Sequence, residues 1–167
     1  MPIFVLHLKA ELENVAKFWV PEDATWTFDV KQGAGSEERN GIVVDPDEEY
    51  DPPNSKAADK KVNFQLKFPG DKQFSSIRIV KADEKGAPAT RPQVEDDTGL
   101  VPFIAFECRG LEIVRWHPNG PYCVESHSGA THSEVRLDEG DDWCDYDEGS
   151  DESMTVGKDV QYEFKRG

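Results

Sequence analysis

The chain has 167 residues and carries 34 Asp and Glu against 19 Lys and Arg, a formal net charge of −15 at pH 7. So acidic a balance argues against a protein that grips nucleic-acid phosphates or an anionic membrane surface, because both depend on clustered Lys and Arg. Nine Phe, four Tyr and four Trp within a 37% apolar composition are enough for a packed core, which argues against wholesale disorder.

From the start of the chain, the apolar run Ile3 to Leu6 is broken by His7, Lys9 and Glu11. It is too short and too charged for a signal peptide or a membrane span. Lys9 to Phe18 is the one stretch open to a helical reading, with a poor stripe of Val15 and Phe18. Thr25 to Lys31 alternates strictly, with Trp26, Phe28 and Val30 on one face and Thr25, Thr27 and Asp29 on the other. Lys61 to Lys67, Ser76 to Lys81, Ser133 to Leu137 and the segment from Val160 to Lys165 repeat that period-two pattern, the signal of a half-buried strand. Phe103 to Cys108 is more continuously apolar and reads as a central strand. Between these lie an exposed Pro-rich loop at 45–59 and a Gly, Pro and acid-rich connection at 82–99 that reads as a linker.

The two halves of the chain resemble each other. Leu12-Glu13-Asn14-Val15 recurs as Leu111-Glu112-Ile113-Val114, Gly33-Ala34 as Gly129-Ala130, and Val62 to Lys67 as Val160 to Lys165, in the same order. A duplicated β unit is expected, with each half too small to bury much surface alone. The halves are 1–86 and 87–167, and charge divides unevenly between them. The first carries 16 acids and 12 bases; the second carries 18 and 7. Nine of those acids fall in 138–152 with no base among them, around Trp143 and Tyr146.

Sites of chemistry are scarce. Started at Asp145, a calcium-loop reading puts Ser150 at the sixth position and Val156 at the twelfth, where Gly and Glu are needed. His117, Cys123, His127, His132 and Cys144 are zinc-ligand types, but their spacing is loose and lacks the paired C-x2-C pattern. Three cysteines cannot all pair within one chain, so a reducing compartment is expected, the cytosol with passive entry to the nucleus. Ser128-Gly129 lacks the glycine of a nucleophile elbow, and Gly33-Ala34-Gly35 lacks the third glycine of a dinucleotide loop. The acidic run reads equally well as a solvated loop anchored by two aromatics and as a recognition surface.

Several blocks resemble the CXXC-motif-containing zinc-binding protein family of eukaryotes. LKAELENV (Leu8 to Val15), FECRGLEIV (Phe106 to Val114) and the segment from Glu125 to Glu148 carry the likeness, with NFQLK and SSIRIV between them. The resemblance implies an all-β, mainly antiparallel fold with little helix, in which two related sandwich-like units pack about a pseudo-twofold. It also implies two CxxC pairs holding one zinc in the first half. Here those cysteine positions are Gln32, Gly35, Phe68 and Asp71, so no metal and no cofactor is expected. The expected replacement is Phe68 acting as a hydrophobic plug in the vacated volume.

Three functions compete. A non-catalytic adaptor or co-chaperone would dock a basic client through Asp138, Glu139, Asp141, Asp142, Trp143, Asp145, Tyr146, Asp147 and Glu148, with the aromatics as anchors and the acids steering encounter. The family resemblance suggests metallochaperone or translation-factor maturation as the setting, with a translation GTPase such as elongation factor 1A as one client, and a monomeric state is expected. A metal-handling protein would use Cys123, His127, His132 and Cys144. An enzyme with an unrecognised site comes third. Arg109, within FECRGLE, is either part of a surface or a structural ion-pair partner.

Overall fold

The computed structural model describes residues 2–52, 60–95, 99–137 and 140–167. Fourteen strands and no helix occur among them: β1 (Ile3–Lys9), β2 (Leu12–Glu13), β3 (Val15–Trp19), β4 (Trp26–Gln32), β5 (Glu38–Val44), β6 (Phe64–Leu66) and β7 (Ser75–Val80) in the first half, then β8 (Val101–Arg109), β9 (Leu111–Trp116), β10 (Tyr122–Ser126), β11 (Thr131–Val135), β12 (Trp143–Asp147), β13 (Glu152–Val156) and β14 (Gln161–Arg166). Every pairing is antiparallel. The fold is all-β, as the alternation and the family resemblance imply.

Strands cross between the halves. One sheet runs β14-β1-β8-β7-β6, so β1 and β8 pair at its middle and each is flanked by a strand of the opposite half. The β4–β5 hairpin takes β9 from the second half as its third strand, and the β10–β11 hairpin takes β3 from the first. This reciprocal exchange is the pseudo-twofold. Two repeated sequence blocks sit at equivalent places: Leu12 to Val15 spans β2 and β3, Leu111 to Val114 lies in β9, and the Gly-Ala pairs are in the β4–β5 and β10–β11 turns. The third block does not. Val62 to Lys67 contains β6 at the sheet edge, whereas Val160 to Lys165 contains β14, whose positional counterpart is β7. Alternation is shared by any half-buried strand, so it cannot by itself identify which strands correspond.

One hydrophobic cluster draws on all four sheets. Leu6, Ile77 and Phe106 come from the five-stranded sheet; Phe28, Val30 and Trp116 from the β5-β4-β9 sheet; Phe18, Tyr122 and Val124 from β11-β10-β3; and Leu12, Met154 and Val156 from β12-β13-β2. Neither half closes that core alone, since each supplies strands to sheets of the other.

Lys9 to Phe18 is not helical. It forms the end of β1, then β2 and β3, broken at Asn14 with φ 58°. Asn tolerates this left-handed conformation, which turns the chain between two sheets. The connection at 82–95 docks on the fold: Val94 is fully buried and exchanges backbone hydrogen bonds with Phe18 at 2.7 and 2.9 Å.

Candidate functional site

The four family cysteine positions converge. Gln32 ends β4 at the β4–β5 turn, and Phe68 and Asp71 lie in the loop between β6 and β7. Both loops are tied to Gly110, whose carbonyl accepts the Gly33 N–H and the Ser75 hydroxyl, each at 3.0 Å. Gly110 has φ 72°, and an added Cβ would lie 2.7 Å from Ser75 Oγ, so the turn between β8 and β9 requires glycine. With the loops held this way, Gln32 Nε2 donates to Asp71 Oδ1 at 2.7 Å. The Gln32 amide fills the space a side chain at 35 would need, since a Cβ on Gly35 would come within 2.2 Å of Gln32 Oε1. Phe68 is 1% exposed and belongs to the core, with the Arg39 guanidinium 5.8 Å above its ring.

This donor set does not fit zinc. It offers one amide and one carboxylate, already spent on each other, beside an aromatic ring and a residue without a side chain. Structural zinc takes four Cys or His ligands in a closed tetrahedron. Among the described residues, no group of three or more His, Cys, Asp or Glu is arranged to hold a metal ion.

The second candidate metal set separates into unrelated pairs. His127 Nδ1 lies 3.5 Å from Glu152 and His132 Nδ1 3.4 Å from Asp145, while Cys144 Sγ is 3.8 Å from Thr155 Oγ1 and Cys123 is half-buried on β10 opposite Trp19. Burial pushes the Cys108 thiol up to about 12, and burial with Glu134 and Asp23 nearby raises that of Cys123. Both thiols stay protonated near neutrality, which makes them poor nucleophiles and poor ligands.

The acidic run forms a hairpin, β12–β13, and β12 is the edge of its sheet. Asp138 and Glu139 lie outside the described residues. Asp141, Asp142, Asp145 and Glu148 are exposed, and Asp142 Oδ1 accepts the Lys158 N–H at 2.8 Å. Trp143 is half-buried with its ring edge-on to His132 at 5.7 Å, and Tyr146 is 48% exposed. Asp147 points inward. It is buried, and its carboxylate accepts from Ser150 Oγ, from Ser128 Oγ at 2.8 and 2.9 Å, and from the Gly149 N–H at 3.3 Å. The Ser150 bond, then the Ser128 bond, hold its carboxyl at about 2.

A further cluster escaped the pattern reading. Alternation places Asp29 with Thr25 and Thr27 on the face away from the core, yet Asp29 is only 2% exposed. Both strands beside it are bulged, β5 opposite Phe28 to Val30 and β9 opposite Asp29 to Val30. Bulges open a ladder and re-aim side chains. Here the Gly41 N–H (2.9 Å) and His117 Nε2–H (2.8 Å) donate to Asp29 Oδ1, and Arg115 pairs with Oδ2. His117 does most to lower its carboxyl to about 2, against the opposite pull of burial, with Gly41 and Arg115 helping. The available signals were Asn40-Gly41 inside an otherwise strand-like segment and an acid between two core residues.

A family model for the eukaryotic CXXC motif containing zinc binding protein matches residues 5–165. The chain belongs to this family. Members of that name from Bos taurus and Homo sapiens are 31% and 30% identical over 165 residues, 95% of each chain. Among solved structures, one titled a hypothetical protein from Plasmodium falciparum superposes with TM-score 0.82, and one titled C1orf123 with 0.83. Both are 27% identical and cover 99% of this chain, and 100% and 99% of their own. The family is named for zinc binding; this chain keeps the fold with a corner whose donors do not suit that metal.

Proposed function

We propose that this protein is a non-catalytic interaction factor, an adaptor or co-chaperone, that docks a basic client on the β12–β13 hairpin. The observation that carries the reading is an edge strand, β12, that exposes Asp145 and Tyr146 and follows exposed Asp141 and Asp142, with no Lys or Arg in 138–152. An edge strand has unpaired backbone groups ready for a partner, an exposed aromatic supplies anchoring area, and a one-sign rim steers encounter. Asp147 takes no part in this contact, because its carboxylate holds the hairpin turn from inside. The raised thiols make Cys108 and Cys123 poor nucleophiles, in keeping with a non-catalytic role. The client we propose is a translation GTPase such as elongation factor 1A, met in the cytosol by a monomer.

The test is biolayer interferometry against recombinant elongation factor 1A at low and at moderate salt. Wild type is expected to bind with an on-rate that falls as salt rises, and D141N/D142N/D145N/Y146A to lose most of that on-rate and its salt dependence. Equal binding by the variant removes the hairpin from the interface. No binding by wild type at low salt removes this client.

A further inference from the structure

The outer face of the five-stranded sheet changes character along its length. Ser76, Arg78 and Val80 alternate on β7, and Ala105, Glu107 and Arg109 on β8, in the pairs Ser76–Arg109, Arg78–Glu107 and Val80–Ala105. At one end Val80 and Ala105 join Val5 in a small apolar cluster that Ile3 and Ala87 help to cover. In the middle, Arg78 is buried and reaches Glu84 at 2.6 and 3.1 Å and Glu107 at 3.2 Å, while Lys60 reaches Glu84 at 3.1 Å. Three cations, Lys60, Arg78 and Arg109, therefore share two carboxylates.

Arg109 is the cation left over. Arg78 takes Glu107 Oε2, and Arg109 Nε stays 3.8 Å from Oε1, beyond hydrogen-bond reach. Among the described residues, four buried side-chain N and O atoms have no hydrogen-bond partner, and three of them are Ser76 Oγ, Arg78 Nε and Arg109 Nε. Ser76 is 1% exposed and Arg78 7%. Unpaired buried donors are costly, but these three atoms are closed to solvent, so an acceptor arriving from outside meets only the exposed part of Arg109. Guanidinium nitrogens only donate, so the acceptor must be an oxygen-rich, electron-rich group.

That exposed part of Arg109 is reachable. Arg109 is half-buried, and with Lys72, Gln73, Phe74 and Gly110 it lines an open cleft of about 510 Å³. Lys72 adds a second cation there, and the acid in the same cleft, Asp71, is engaged by Gln32. We propose that this cleft binds an oxyanion, a carboxylate or a phosphate, with Arg109 as its principal ligand and Lys72 in support. The site is a local exception in a chain of net charge −15, which selects a small anionic group over an extended polyanion. It lies on a different sheet from the acidic hairpin and does not depend on the reading given there.

The test is NMR of the arginine Nε–H and backbone signals during titration with inorganic phosphate and, separately, acetate, using wild type, R109Q, K72Q and, as a distant exposed control, R136Q. The expected result is a saturable shift of the Arg109 Nε–H and of residues 72–76 in at least one titration. R109Q is expected to bind at least about tenfold more weakly, K72Q by a smaller factor, and R136Q like wild type. Saturation by phosphate alone assigns the site to phosphate esters; saturation by both assigns it to carboxylates as well. Absence of a saturable shift with both anions, or R109Q titrating like wild type, overturns the proposal. R109Q changes a half-buried side chain, and its unperturbed spectrum away from the cleft certifies its fold.

Discussion

The two halves lock their turns differently. In the first, the β4–β5 turn is tied to the loop before β7 by the hydrogen bond from Gln32 to Asp71, over the buried ring of Phe68. In the second, the β10–β11 turn is tied to the β12–β13 turn by Asp147, which gathers Ser128, Ser150 and the Gly149 N–H. One corner rests mainly on apolar volume with a single polar tie. The other rests on a buried carboxylate whose acceptor sites are filled by several donors. The corner that carries the family's cysteine positions is thus closed by apolar volume, and the corresponding turns of the other half by a buried carboxylate.

Removing the plug tests the first corner most severely. F68A is expected to cost about 3–5 kcal/mol in chemical denaturation, as for other buried Phe truncations. A loss under about 1 kcal/mol would mean the loop collapses onto the core without the ring. The second corner is probed by D147N, whose drop in Tm should fall between those of F68A and Q32A. It should also change the acid limb of the stability curve. Asp147 is depressed from 3.8 to about 2 in the folded state, so its contribution is complete above 3.8 and lost as pH falls through about 2. D147N should flatten part of that slope; Asp29, also held at about 2, and Glu84, lowered by its Arg78 hydrogen bonds, contribute to the remainder. An unchanged slope would assign the acid sensitivity elsewhere. Q32A removes one half-buried hydrogen bond and is expected to cost about 1 kcal/mol. The smallest expected effect is none at all: a strong chelator should leave the Tm of wild type unchanged. A chelator-induced drop would show that the protein holds a stabilising metal after all.

How much of this could be read beforehand depends on the range of the interaction. Trp26, Phe28 and Val30 were legible as core because alternation is local. Phe68 was legible as a plug because the family likeness set it at a ligand position. Asp29 was placed on the solvent face by the same alternation, and only the bulges opposite it, with Arg115 and His117 folding over from another strand, take it out of water. Asp147 looked like one more acid in a charged run, although Ser128, 19 residues away, makes it internal.

The family likeness marked four zinc-ligand positions that carry no sulfur; by itself the sequence determined that the chain is acidic, that its strands alternate and that its turns fall at Gly and Pro clusters. These are properties of composition and of neighbours along the chain. The tertiary structure decided that β3 and β9 exchange between halves, that Val160 to Lys165 answers to β7 and not to β6, and that Gln32 meets Asp71. It also decided that Arg109 is left without a full partner once Arg78 claims Glu107. Antiparallel pairing joins residues far apart in the chain, and period-two patterns are alike in every half-buried strand, so register and partner choice emerge only when all sheets close over one core.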